Sequence, residues 1–93
     1  IGWYVGVHYY RNKTAAEATL DRVLAGGGIG DSYQADVREA ESVRRMMDRF
    51  TNCASGPLVL VCNAGIGQGD LLMRHSDSVW DNVIATNLTG TFH

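Results

Sequence analysis

Apolar and polar positions along this chain follow two periods in turn. Trp3-Tyr4-Val5-Gly6-Val7-His8-Tyr9 is dense in aromatic and β-branched residues and predicts a strand. A turn at Arg11-Asn12 ends it. The period then lengthens: Ala16, Leu20, Val23 and Leu24 share one helical face, and Thr14 with Glu17 has the spacing of a reciprocal N-terminal cap. Gly26-Gly27-Gly28 predicts the end of this helix, because glycine takes left-handed backbone at little cost. A second strand is expected from Ser32 to Asp36 and a second helix from Arg38 to Thr51. Ala40, Val43, Met47 and Phe50 form its apolar face, and Glu39, Glu41, Arg45, Asp48 and Arg49 face water. Gly56-Pro57 breaks the chain. The uninterrupted apolar run from Leu58 to Cys62 predicts a parallel strand covered on both faces. Gly65, Gly67 and Gly69 mark a loop, and Ser76 is an N-cap for a last helix carrying Val79, Trp80, Val83 and Ile84, with Trp80 read as core.

The order β-α-β-α-β-α predicts an α/β fold: a Rossmann-like, doubly wound parallel sheet with helices on its faces. The 93 residues suffice for one small domain, and 45% of them are apolar, so a core is intended. The chain begins at Ile1 and ends at His93 inside a helical pattern. Residues 1–93 are therefore expected to be a partial domain, truncated at both ends. Net charge is −2, with no basic block, so nucleic acid is a poor partner. The apolar run at 58–62 is too short to cross a bilayer, and no membrane partner is expected. Cys53 and Cys62 lack metal spacing, and Cys62 reads as a small buried hydrophobe. His8, His75 and His93 have no partners at ligand spacing, so no metal site is expected. A reduced, cytoplasmic protein fits this cysteine usage.

Candidate chemistry clusters at the predicted strand ends, where open α/β sheets bind ligands. Asn63-Ala64-Gly65 closes the buried strand, Asp36-Val37 follows the one before it, and Asn87-Leu88-Thr89-Gly90 lies further on. Together these resemble the short-chain dehydrogenase/reductase family, whose patterns include Asp-Val, Asn-Asn-Ala-Gly and a later Asn-Leu-x-Gly. The resemblance runs through essentially the whole chain. Within the family, Asn63-Ala64-Gly65-Ile66, Leu71-Leu72-Met73-Arg74, Trp80 and Thr86 to Gly90 look most like bacterial 3-oxoacyl-[acyl-carrier-protein] reductases. Acetoacetyl-CoA, sugar and alcohol dehydrogenases share much of this string.

The resemblance implies a role for each position. Asp36 accepts a hydrogen bond from the adenine amino group, with the Val37 backbone alongside. Asn63 lines the adenosine ribose, and Ala64 and Gly65 let a cofactor approach the backbone. Asn87 is the catalytic asparagine, kinking its helix and holding a water that relays protons to the active-site lysine. Arg11, just past the first strand with no acid from Tyr9 to Lys13, favours a 2′-phosphate and so NADP(H) over NAD. The implied function is NADPH-dependent reduction of 3-oxoacyl thioesters in fatty acid synthesis, by a parent that is a homo-oligomer. Another dehydrogenase of the family, or a non-catalytic dinucleotide-binding relative, remains the alternative.

Two look-alikes are set aside. Gly26 to Gly30 follows a helix and precedes a strand, the reverse of a phosphate-binding glycine loop. Tyr9 and Lys13 match the family's Tyr-x-x-x-Lys in letters only, because a turn separates them. Three departures from the family pattern stand out: Cys62 in place of the first Asn, Arg38 where a Ser or Thr commonly caps the helix, and an acid one place late in Gly67-Gln68-Gly69-Asp70. The family's Gly-rich turn is expected before Ile1 and its catalytic Ser, Tyr and Lys after His93. On that reading the 93 residues alone are inactive, and a gap beside the first strand leaves them partly folded or aggregation-prone.

Overall fold

The computed structural model describes residues 2–67, 69 and 71–93. Gln68 and Asp70, and with them the displaced loop acid, lie outside the described residues. In chain order the elements are β1 (Tyr4–Tyr9), α1 (Lys13–Ala25), β2 (Ile29–Gln34) and α2 (Ala40–Cys53). A 3₁₀ turn (Leu72–Arg74) and α3 (Asp77–Ile84) follow. A π-turn (Ala85–Thr89) then leads directly into α4 (Gly90–Phe92).

β1 and β2 pair in parallel, from Tyr4 opposite Ile29 to Tyr9 opposite Gln34. A parallel pair needs a crossover, and α1 supplies it, burying Ala16. Tyr33 and Ala35 are the other buried apolar residues of the described core. Phe50 of α2 packs on the rings of Tyr4 and Tyr33, each with a centroid separation of 5.7 Å. Gly6 makes room for this: a Cβ there would lie 2.8 Å from the Phe50 ring carbons. The Tyr33 hydroxyl shares a 2.7 Å hydrogen bond with Tyr4, and burial raises its pKa, so it stays protonated.

Several expected boundaries move. The cap of α1 is Asn12, not Thr14: its Oδ1 accepts the Ala15 N–H at 3.0 Å, two residues earlier than expected. Glu17 instead reaches Lys13 across 3.6 Å, both side chains exposed. Asn12→Ala is expected to cost about 0.5–2 kcal/mol, read as a lower denaturant midpoint at unchanged m-value. Gly26 follows α1 and Gly27 makes the left-handed turn, at φ 83°. β2 begins at Ile29 and stops at Gln34, because the ladder to β1 overrides the poor strand propensity of Gly30 and Asp31. α2 starts at Ala40, since residues 36–39 are taken up by a turn in which Glu39 N–H donates to the Asp36 carbonyl.

Three expectations of burial fail. Residues 58–62 join no ladder among the described residues, and Leu58 to Val61 are 55–78% exposed. An apolar run becomes a strand only when a neighbour lies alongside to take its N–H and C=O groups, and no described segment does. Cys62 is exposed for the same reason. Trp80 is 55% exposed, because Val79 and Val83 carry the more covered face of α3.

Candidate functional site

A cavity of about 540 Å³ opens at the carboxyl ends of both strands. Its wall is built from four segments: residues 8–11 at the end of β1 and just past it, 36–38 after β2, 61 and 63–66 of the apolar run and the loop after it, and Asn82 with Thr86 of the last helical run. All six residues expected to meet a cofactor, Arg11, Asp36, Val37, Asn63, Ala64 and Gly65, lie on this wall.

The chain reaches this arrangement through local chemistry. Past β2, Asp36 Oδ1 accepts the Arg38 N–H at 3.0 Å, a side-chain turn that bends the chain towards α2. The Asp36 N–H donates to Ser42 Oγ at 3.0 Å, tying the turn to the first part of α2. His8 Nε2 and the Ala35 carbonyl are 2.9 Å apart, so that nitrogen donates and braces the two strand ends. His93 Nδ1 likewise donates to the Val37 carbonyl at 2.9 Å.

Asn87 stands behind the loop, not on the cavity wall. Its Oδ1 accepts the Ile66 N–H and its Nδ2 donates to the Ile66 carbonyl, both at 2.8 Å. A side-chain amide thus completes both backbone groups of one loop residue, as a neighbouring strand would. The helix opens to let it do so. Asn87 is the centre of the π-turn, closed by Gly90 N–H donating to the Ala85 carbonyl, and such turns recur at functional sites. Gly65 has a packing reason here: a Cβ would sit 3.3 Å from Asn87 Oδ1. Gly90 has another, since a Cβ would meet the Val37 side chain at 2.7 Å.

Sequence reasoning missed Tyr10, Asn82 and the part played by Arg38. The Arg38 guanidinium grips the Asp36 carboxylate, with Nη2 to Oδ2 at 2.7 Å and Nε to Oδ1 at 2.9 Å. It also donates to Asn82 Oδ1 at 2.7 Å and to the Tyr10 hydroxyl at 3.2 Å. Arg11 donates weakly to the same hydroxyl at 3.4 Å, so two guanidiniums converge on Tyr10. Both also lie over its ring, at 4.9 Å for Arg11 and 5.5 Å for Arg38. The available signal was an Arg two residues past an Asp at a strand end. Its link to Asn82, 44 positions away, had none.

Hydrogen bonding from Arg38 holds the Asp36 carboxyl below the usual carboxylate range, against the opposing effect of its partial burial. The sign follows: a depressed folded pKa stabilises above the unfolded value, near pH 4, and that contribution is lost as pH falls through the lower folded value. The stability difference between wild type and Asp36→Asn should therefore be constant at neutral pH and shrink below about pH 4. Denaturant titrations at stepped pH measure it.

Among the described residues, no group of three or more His, Cys, Asp or Glu side chains is placed to hold a metal, and no helix is long and apolar enough to cross a membrane. Tyr9 ends a strand and Lys13 opens a helix, so they share no helical face.

A family model described as short chain dehydrogenase matches residues 2–93. The chain belongs to the short-chain dehydrogenase family. The 3-oxoacyl-[acyl-carrier-protein] reductase FabG of Staphylococcus aureus (strain Mu50) is 39% identical over 92 residues, covering 99% of this chain and 37% of that protein. A 3-oxoacyl-[acyl-carrier-protein] reductase from Synechocystis is 38% identical over 91 residues, covering 98% of this chain and 37% of its relative. A (3R)-3-hydroxyacyl-CoA dehydrogenase from Canis lupus familiaris is 44% identical over 70 residues, covering 74% and 27%. The crystal structure of a dehydrogenase/reductase from Sinorhizobium meliloti superposes with a TM-score of 0.88 at 26% identity, covering 96% of this chain and 35% of that one. This short-chain dehydrogenase chain thus spans little more than a third of the bacterial reductases it matches. The Rossmann-like α/β expectation holds, and so does the oxidoreductase family.

Proposed function

We propose that the cavity receives the adenosine half of NADPH, and that an enzyme carrying this segment reduces 3-oxoacyl thioesters to 3-hydroxyacyl thioesters in fatty acid synthesis. The observation that carries the cofactor choice is Arg11. It stands on the cavity wall just past β1, its guanidinium over the Tyr10 ring and at a long 3.4 Å from the Tyr10 hydroxyl, with no acid from Tyr9 to Lys13. A guanidinium there suits a 2′-phosphate, where a ribose 2′-hydroxyl would want a carboxylate. A cavity of about 540 Å³ whose lining combines Tyr10, apolar Val37 and Ile66, the amides of Asn63 and Asn82, Arg11 and the Asp36–Arg38 pair is of a size and chemistry that fit a nucleoside.

The reduced nicotinamide supplies hydride to the substrate carbonyl carbon. This segment contributes binding and positioning: Arg11 holds the 2′-phosphate, Asn63 meets the ribose, and Ala64 and Gly65 allow close approach. Asp36 and Val37 line the base subsite. Asn87 serves the proton path from the far side of the Ile66 loop. The names of the bacterial relatives favour a carrier-bound acyl substrate. The name of the canine relative favours a coenzyme A thioester as the second reading. The enzyme works in the cytoplasm as a homo-oligomer, and exposed Trp80 on α3 is the first surface to test for a subunit contact.

The test is turnover of acetoacetyl thioesters, on carrier protein and on coenzyme A, with NADPH and with NADH, by the full-length enzyme. We expect oxidation of NADPH in preference to NADH, and faster reaction of the carrier-bound substrate. Arg11→Ala should lower the NADPH-over-NADH preference by about tenfold or more, as expected for losing a charge-assisted pair. Preference for NADH, or no turnover of either thioester, contradicts the proposal. The 93 residues alone should show no turnover.

A further inference from the structure

Resting on the nucleotide reading of this cavity, we propose that Arg38 is a positioning residue for the base subsite: braced by Tyr10 and by Asn82 of α3, it holds the Asp36 carboxylate ready to accept from the amino group of the base. The needs of the following helix do not explain Arg38. α2 begins at Ala40, and its N-cap, Glu39, makes no side-chain capping bond. The Arg38 side chain joins the cavity wall instead, together with Asp36, Tyr10 and Asn82.

Three hydrogens of Arg38 meet Asp36. The backbone nitrogen and Nε lie 3.0 and 2.9 Å from Oδ1, and Nη2 lies 2.7 Å from Oδ2. The single Nε–H is shared, with Nε also 3.2 Å from Oδ2. An ionised carboxylate offers about four lone-pair sites, so one acceptor position remains that Arg38 does not fill. The Tyr10 hydroxyl is the weakest of this carboxyl's partners, so an incoming amino group displaces no charge-assisted bond.

A fork that engages both oxygens also fixes the plane of the carboxylate, about which a free Asp side chain would rotate. The fork is itself held. Nη1 donates to Asn82 Oδ1 at 2.7 Å, Nη2 donates to the Tyr10 hydroxyl at 3.2 Å, and the guanidinium carbon lies 5.5 Å from the centre of the Tyr10 ring. The carboxylate past β2 is thus oriented by groups from two other parts of the wall, one just past β1 and one on α3. Removing Arg38 has two opposed effects. An unpaired carboxylate is the stronger acceptor, because no guanidinium draws on its charge. It is also mobile and hydrated, and ordering one side chain on binding costs about two- to tenfold in affinity. A neutral amino group is too weak a donor to offset that cost, so the loss of order outweighs the gain in acceptor strength.

The experiment is the affinity of the full-length enzyme for NADPH and for its hypoxanthine analogue, in which an oxo group replaces the 6-amino donor, by fluorescence titration of the reduced nicotinamide. Wild type should prefer NADPH by about tenfold, the worth of one good hydrogen bond. Binding of neither dinucleotide removes the nucleotide reading, and equal binding of both removes Asp36 from the base subsite; either takes the proposal with it. With the wild-type preference in hand, Arg38→Ala should cut it to within about threefold. Arg38→Lys, which keeps the charge but not the fork, should fall between the two. In an Asp36→Ala background the Arg38 changes should leave the ratio as it is, because the group they act through is gone. An undiminished or enlarged preference in Arg38→Ala, or a ratio that moves when Arg38→Ala is added to Asp36→Ala, overturns the proposal and leaves the nucleotide reading intact. Where Arg38→Ala does not fold, Arg38→Lys decides, and an undiminished preference there overturns the proposal equally.

Discussion

Replacing Asn87 by Ala is expected to lower kcat of the full-length enzyme by about 10²–10⁴-fold, the usual share of a positioned proton-transfer group, while KM for NADPH changes little. The geometry motivates the split. Asn87 does not line the cavity, so its loss removes no contact to the adenosine half. It does supply both hydrogen bonds to Ile66, which forms part of the wall, and it is the central residue of the π-turn. Ile66 is substantially exposed, so water can satisfy its freed backbone groups, and stability should fall by only about 1 kcal/mol. Asn87→Asp is the sharper variant. It keeps the Ile66 N–H bond but sets a carboxylate oxygen against the Ile66 carbonyl, and it should lose activity as well. Steady-state kinetics on both proteins measures this. A kcat near wild type in Asn87→Ala would remove Asn87 from the proton path.

Gly90→Val should be the most destabilising substitution in the last helical run. Gly90 is buried, and a Cβ there would lie 2.7 Å from Val37 Cγ2, 3.0 Å from Val37 Cβ and 3.2 Å from the Val37 carbonyl oxygen. Two opposed effects must be weighed. Replacing a helical glycine by alanine gains up to about 1 kcal/mol of helix propensity, and valine gains less. Overpacking against a backbone-anchored neighbour costs about 1–3 kcal/mol. The clash outweighs the gain for valine, and alanine should come out nearer to neutral. Because Val37 lines the cavity, Gly90→Val should also weaken NADPH binding. Denaturant midpoints at unchanged m-value test the first effect, and dinucleotide titration tests the second. A stabilised Gly90→Val would show that α4 does not press on Val37.

These two residues also show how far the sequence could be read. The motif Asn87-Leu88-Thr89-Gly90 contained both positions, and the resemblance gave Asn87 a role, but no expectation attached to Gly90 itself. The π-turn and the pairing with Ile66, 21 positions earlier, depend on two segments meeting, which no local period encodes. The same divide runs through the fold. β1 and α2 were legible because their periods of two and 3.6 are clear, and both came within a few residues of expectation. The start of β2 was not, because its first residues include glycine and aspartate and are strand only through β1. The run from Leu58 to Cys62 was read correctly as apolar, yet its ladder depends on a neighbour that no described segment provides. At the site, six of the wall residues were found from their places at strand ends, five of them through motifs and Arg11 through its position. Arg38 was noticed only as an odd cap, because its grip on Asp36, Tyr10 and Asn82 is a product of the assembled fold.

The central claim, that the rim after β1 and β2 is the adenosine end of an NADPH crevice, is tested most directly by the crystal structure of the full-length enzyme with NADPH bound. The claim requires density for the 2′-phosphate against Arg11, the ribose beside Asn63, and the base between Tyr10, Val37 and Arg38. A dinucleotide seated on any other edge of the sheet, or in the opposite direction with its nicotinamide at Arg11, would contradict it.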